Sequence, residues 1–216
     1  MGVDVKAKIE EWLNKYYITN YTINADLTID VNENVNLRTY EEKQLPDYIQ
    51  FGIVTKDFSC SENDVIESLK GAPKEVRGDF YCGNCKNLKS LEGCPEKVGE
   101  NFYCSYCTSL TSLKGAPEKV HRYFHCIGCS NLTSLEGAPQ EVGGGFDCSK
   151  CTKLTSLKGA PKEVGGTFDC SKCTKLTSLK GAPKEVDGRF MCYDCGKKFT
   201  EDDVKKVCSV RYRIVV

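Results

Sequence analysis

The stretch F-D-C-S-K-C-T-K-L-T-S-L-K-G-A-P-K-E-V, running from Phe168 to Val186, holds one complete structural unit of this chain. Phe168 and Cys170 flank Asp169, the period of a short strand with one side buried. Cys173, Leu176, Leu179 and Val186 follow at intervals too irregular for one face of a helix. They suit a chain that turns its apolar side inward at several corners of a flattened coil. Gly181-Ala182-Pro183 breaks any helix and favours an extended or turning return path. Gly165-Gly166, ahead of the strand, predicts positive φ or a close approach of backbone to backbone.

The unit recurs every 22 residues. Its phase is marked by Phe58, Phe80, Phe102, Phe124, Phe146, Phe168 and Phe190, each followed two places later by a cysteine, from Cys60 to Cys192. Pro73, Pro95, Pro117, Pro139, Pro161 and Pro183 keep the same phase. A fixed period this short predicts a solenoid, because one turn cannot bury its apolar side alone. The turns starting at Phe146 and Phe168 are identical through Val164 and Val186.

This spacing resembles the leucine-rich repeat, with Phe and Cys in the two strand positions and Cys at the usual Asn/Cys position. The L-T-S-L-x-G-A-P segment resembles the short, Pro-containing bacterial class. It is closer still to bacteriophage-type leucine-rich-repeat proteins with GAPKEVGGxFxC units. The likeness covers about residues 58–195. It implies an α/β solenoid with a parallel β-sheet on the concave face, a mostly irregular convex side, and helical N-terminal and C-terminal caps. It also implies a binding role without naming a ligand. In this family an Asn ladder satisfies buried backbone groups in the turn. Here Asn63 keeps that residue, while Cys85, Cys107, Cys129, Cys151, Cys173 and Cys195 replace it.

The expected organisation is 1–57 as an N-terminal helix and strand cap with an irregular first turn, 58–195 as the solenoid, and 196–216 as a C-terminal helix and strand cap. Val5, Ile9, Trp12, Leu13 and Tyr16 form an apolar helical stripe, with Asp4 as N-cap. Ile29-Asp30-Val31 and Val35-Asn36-Leu37 read as strands leading into the array. Thr200 to Asp203 opens a short helix. Tyr212 and Ile214, 22 residues beyond Phe190 and Cys192, predict a last strand, with Val204, Val207 and Cys208 covering the core. The edge of that strand would allow a homodimer.

Thirty basic and thirty acidic residues among 216 give zero formal net charge, which disfavours nucleic acid as the main ligand. No apolar run is long enough to span a membrane. The first residues show no secretory or myristoylation signal. With that start, an odd count of 15 cysteines spaced by the repeat reads as free thiols in a reducing cytoplasm. The C-x-x-C pairs invite a zinc or redox reading. In-register stacking at about 4.8 Å would instead produce two parallel thiol columns. No recurring basic partner would activate them. No metal or other cofactor is therefore expected.

The resemblance places the concave surface at the strand residues that point away from the core. In the two identical turns these are Asp147, Lys150, Asp169 and Lys172, columns expected to neutralise each other in solvent. The turns from Phe80, Phe102 and Phe124 carry Tyr81, Asn84, Tyr103, Tyr106, Tyr123, His125 and Ile127, flanked by Arg122. Aromatic residues and Arg are common interface anchors. Cross-strand aromatic packing alone would also account for such a column. Arg189, Met191 and Tyr193 form a smaller patch. No carboxylate or nucleophile is arrayed with His121 and His125, so enzymatic chemistry has no support. The reading that results is a non-enzymatic protein-interaction module, a phage protein engaging a host factor in the host cytoplasm. The alternatives are a thiol-rich metal-binding or buffering protein and a single-stranded nucleic-acid binder.

Overall fold

The computed structural model describes residues 4–216. The chain winds into a parallel β-solenoid of about eight turns of roughly 22 residues. Each turn contributes two short strands to two different sheets. One, the Phe sheet, has nine strands; its members include Phe80–Tyr81, Phe102–Tyr103 and Phe124–His125. The other, the Glu-Val sheet, has ten strands and includes Lys97–Val98, Lys119–Val120 and Glu141–Val142. This second sheet stands where an irregular return path was expected. The Gly-Ala-Pro segment turns the chain, but the second and third residues after each Pro pair in register with neighbouring turns, Glu163 with Glu185 and Val164 with Val186.

The core lies between the sheets. The Phe rings stack along the axis, with centroids 5.2 Å apart for Phe80–Phe102, 5.0 Å for Phe102–Phe124 and 5.3 Å for Phe124–Phe146. Val120, Val142, Leu110, Leu113 and the paired cysteines from Cys82 to Cys173 fill the remaining space, all fully or almost fully buried. Such a core is a continuous column, so each turn depends on its two neighbours.

Of the two alternatives expected at Gly165-Gly166, the close approach is found there, and positive φ occurs at other glycines. The glycine of each Gly-Ala/Cys-Pro segment has positive φ, as at Gly115 (φ 93°), where a Cβ would lie 2.4 Å from the Glu92 nitrogen. Gly165 instead permits close approach, since its Cβ would sit 2.2 Å from the Gly143 carbonyl oxygen. The residue two places after the first strand cysteine is left-handed in every turn. Asn84 (φ 57°), Tyr106 (φ 59°), Lys150 (φ 60°) and Lys172 (φ 59°) adopt it without being glycine. That conformation is uncommon for bulky side chains and is imposed here by the solenoid corner.

A helix, α1 (Val5–Lys15), lies at the first turn, with the Asp4 side chain accepting from the Lys6 amide. Ile9, Trp12 and Leu13 are buried; Val5 is exposed, outside the expected stripe contact. Trp12 meets Tyr40 and Phe51 edge-on at 6.0 and 6.1 Å. At the other end, α2 (Glu201–Lys205) is closed by a reciprocal capping box between Thr200 and Asp203. Val204 and Cys208 are buried, whereas Val207 is exposed. The last strand, Arg213–Val215, forms as expected but in another register: Phe190 pairs with Ile214. Tyr212, expected opposite Phe190, is 71% exposed. Residues 196–208, which include α2, lengthen the final turn and shift the pairing.

Candidate functional site

The outer face of the Phe sheet is built by the residue between Phe and Cys in each turn. Strand alternation turns Phe and Cys inward and sets this residue outward. Tyr81, Tyr103 and His125 are consecutive in this column, paired in register. Tyr81 and Tyr103 stack at 4.9 Å with rings 4° from parallel. His125 lies 5.2 Å from Tyr103 and 5.8 Å from Tyr123. Tyr106 and Tyr123 are the most exposed members, at 42% and 48%. Tyr106 lies over Gly128, where a Cβ would come within 2.6 Å of its ring, and Tyr123 lies beside Gly145. The missing side chains of these glycines make room for the rings.

The other expected residues are placed less uniformly. Ile127 is half-buried, and its amide donates to Ser105 Oγ at 3.2 Å. Asn84 is exposed at the left-handed corner. Arg122 is exposed but already ion-paired with Glu100. The structure therefore joins Tyr81, Tyr103, Tyr123 and His125 into one aromatic ladder, with Tyr106 in the neighbouring corner column.

A polar column next to this ladder was not anticipated. Asn34, Asp57, Asp79 and Asn101 each precede a strand, and each side chain accepts the backbone N–H one turn later, at 3.1, 2.9, 2.9 and 3.0 Å. Asp79 also accepts from the Tyr81 hydroxyl at 2.5 Å and from Asn101 Nδ2 at 2.8 Å. Burial and this carboxylate push the Tyr81 phenol well above its ordinary value. The tyrosine is thus held neutral and oriented. Recurrence of Asn or Asp just before the strand, ending at Tyr123, was the available signal.

Burial lowers the His125 pKa, partly opposed by the Asp147 carboxylate in the next strand. A His pKa depressed by folding means that the unfolded chain binds more protons as acid is added. The associated stability is fully present above about pH 6.5, the unfolded value, and is lost as pH falls through the lower folded value. A proton-NMR titration is expected to give a His125 midpoint below 6.5, and His125→Gln should remove this part of the acid sensitivity. A midpoint at or above 6.5 would contradict the buried ladder.

Asp147 and Asp169 are directly paired in the Phe sheet. Contrary to expectation, among the described residues neither carboxylate forms an ion pair with Lys150 or Lys172. Each accepts instead from the backbone amide two residues on, Ser149 and Ser171, both at 2.8 Å. Burial holds the Asp169 carboxyl above the usual carboxylate range. Lys172 reaches the Tyr193 ring at 5.7 Å, and Arg189 reaches Tyr212 at the same distance, so the smaller patch is occupied by its own cations.

The second cysteine of each pair has a defined hydrogen-bonding role. Cys85 Sγ donates to Cys60 O at 3.0 Å, Cys107 to Cys82 O at 3.0 Å, Cys129 to Cys104 O at 3.2 Å and Cys151 to Cys126 O at 3.2 Å. Burial pushes the Cys104, Cys126, Cys148 and Cys170 thiols well up, which keeps them protonated. A protonated buried thiol is a poor nucleophile and a poor metal ligand. Among the described residues no group of three or more His, Cys, Asp or Glu is arranged to hold a metal ion, and no helix is long and apolar enough to cross a membrane. In comparisons with known proteins, the chain matches no family model, and no curated protein or solved structure shows significant similarity to it.

Proposed function

We propose that this solenoid is a non-enzymatic binding module that engages a partner protein through the outer face of the Phe sheet. The observation that carries this is the confinement of the aromatic ladder to Tyr81, Tyr103, Tyr123 and His125, with Tyr106 beside it, while in the next two turns the Tyr81 column holds Asp147 and Asp169, the Tyr106 column Lys150 and Lys172, and the Tyr123 column Gly145 and Thr167. Rings fixed by packing and by the Asp79 bond lose little entropy on binding, as interface anchors require. The repeat's likeness to bacteriophage-type leucine-rich-repeat proteins supports a phage origin and a host factor as target, met in a reducing cytoplasm.

Affinity capture from host lysate, followed by titration of the captured protein, tests the assignment. Alanine at Tyr103 or His125 is expected to leave the fold intact and weaken binding by more than about 1 kcal/mol each. Unchanged affinity in both variants would reject this face.

A further inference from the structure

The Glu-Val sheet turns a column of charges outward: Glu75, Lys97, Lys119, Glu141, Glu163 and Glu185, held in register by the parallel pairing. The order is not random about its midpoint. Read from the centre outward in one direction it is Lys119, Lys97, Glu75; in the other it is Glu141, Glu163, Glu185. We propose that this sheet is a self-complementary docking face for a second copy of the chain, the two solenoids running antiparallel about a two-fold axis between Lys119 and Glu141.

A two-fold axis lying in the interface along the strand direction reverses the order of turns and keeps each column facing itself. Residue i of one copy then meets residue j of the other, and j meets i. Lys119 faces Glu141 of the second copy, and Lys97 faces Glu163. In the column after each Val, Arg77 faces Asp187. In the column before, whose turns are joined by backbone bonds such as Lys162 N to Gln140 O at 3.0 Å, Glu96 faces Lys162. Every one of these pairs joins opposite charges.

Lys119, Glu141, Arg77 and Asp187 are already ion-paired within one copy and would share their partners with the second, whereas Lys97 and Glu163 are open to it. Within this face the ion pairs among the described residues are Lys119–Glu141 at 2.7 Å, Arg77–Glu75 at 3.2 Å, Arg211–Glu185 at 2.7 Å and Arg211–Asp187 at 3.0 Å. Lys97 and Glu163 take part in none of them, and both are exposed. The like-charged contacts that the axis creates, Glu75 with Glu185 and Lys74 with Lys184, fall at the outer rim. There each Glu already has an Arg beside it. A groove of about 490 Å³ lies between Glu75 and His121 and one of about 290 Å³ between Glu141 and Arg211, and the axis sets the two opposite one another, so the contact is made by the long charged side chains at their rims.

Exposed ion pairs are individually weak and screened by salt, so the dimer is of low affinity and salt-sensitive. Sedimentation equilibrium of the full chain, from about 50 to about 500 mM NaCl, reads this directly. Wild type should associate at low salt and weaken about tenfold or more at high salt. Lys97→Glu and Glu163→Lys each replace two attractions with two repulsions and should weaken association by about tenfold or more. Combining them should restore it. A wild-type chain that stays monomeric at low salt, a dimer indifferent to Lys97→Glu, or a double variant no better than the singles would overturn the proposal. Tyr103→Ala should not alter this association, which separates it from binding at the aromatic face; a dimer through the open edge of Arg213–Val215 would ignore the charge reversals.

Discussion

Replacing Phe124 by alanine is expected to cost about 3–5 kcal/mol of stability. Phe124 is fully buried at the middle of the Phe column, with ring neighbours at 5.0 and 5.3 Å. Its removal leaves a cavity bounded by two rings and by strands whose spacing the backbone ladder fixes. Phe102 N bonds Tyr123 O at 2.8 Å, and Phe124 N bonds Gly145 O at 2.9 Å, so the turns cannot close over the gap. The loss is felt in the coupling between turns as well as in the turn itself. Denaturant unfolding followed by circular dichroism should show a lower midpoint and a second transition, as the two halves begin to unfold separately. A variant within about 1 kcal/mol of wild type would mean that the column is not the principal core.

Asn63→Ala is expected to cost about 3 kcal/mol or more, although it removes only a small polar side chain. Asn63 is 3% exposed. Its Nδ2 donates to Tyr40 O at 2.7 Å and to Leu37 O and Arg38 O at 3.3 Å; its Oδ1 accepts from Val65 N at 2.9 Å and Ile66 N at 3.0 Å. Alanine leaves Tyr40 O and Ile66 N buried without this partner, while Leu37 O keeps its bond from Tyr40 N at 3.1 Å; buried unpaired groups are where hydrogen-bond deletions become expensive. The cysteine turns show how the same corner works without Asn. The thiol donates back to the preceding turn, and the amide three residues on bonds the cysteine's own carbonyl, as in Leu88 N to Cys85 O at 3.1 Å and Leu110 N to Cys107 O at 3.1 Å. A thiol cannot accept as Oδ1 does, so the backbone closes the corner itself. Asn63→Cys should therefore lose less than Asn63→Ala in the same unfolding assay. Equal losses would show that the thiol contributes no hydrogen bond at this corner.

The period, the inward Phe and Cys, the strand at residues 213–215 and the helix after Thr200 were all legible in the sequence, because each rests on spacing or on local capping chemistry. The Glu-Val sheet was not. In the repeated turns its strands are only two residues long, and one buried Val between charged or glycine neighbours has no alternation to read. It forms because the neighbouring turns present the same pair in register. The register of the last strand was misplaced for a related reason: an inserted helix changes the length of a turn, and periodicity alone carries no account of the insertion. The aromatic residues of the candidate site were visible as departures from the repeat. The Asp79 and Asn101 side chains that tie its turns together were not singled out, since an Asn or Asp before a strand also reads as an ordinary turn residue.

The cysteines belong to the core of the solenoid. All but Cys94 and Cys195 among the 15 cysteines are buried. The most direct test is a thiol titration of reduced, purified protein, native and denatured, with metal content measured on the same sample. Slow or absent reaction of the buried thiols in the native state, 15 free thiols on denaturation and no bound zinc are the expected results. Stoichiometric zinc, or rapid native reaction of the Cys104 to Cys173 thiols, would contradict the account.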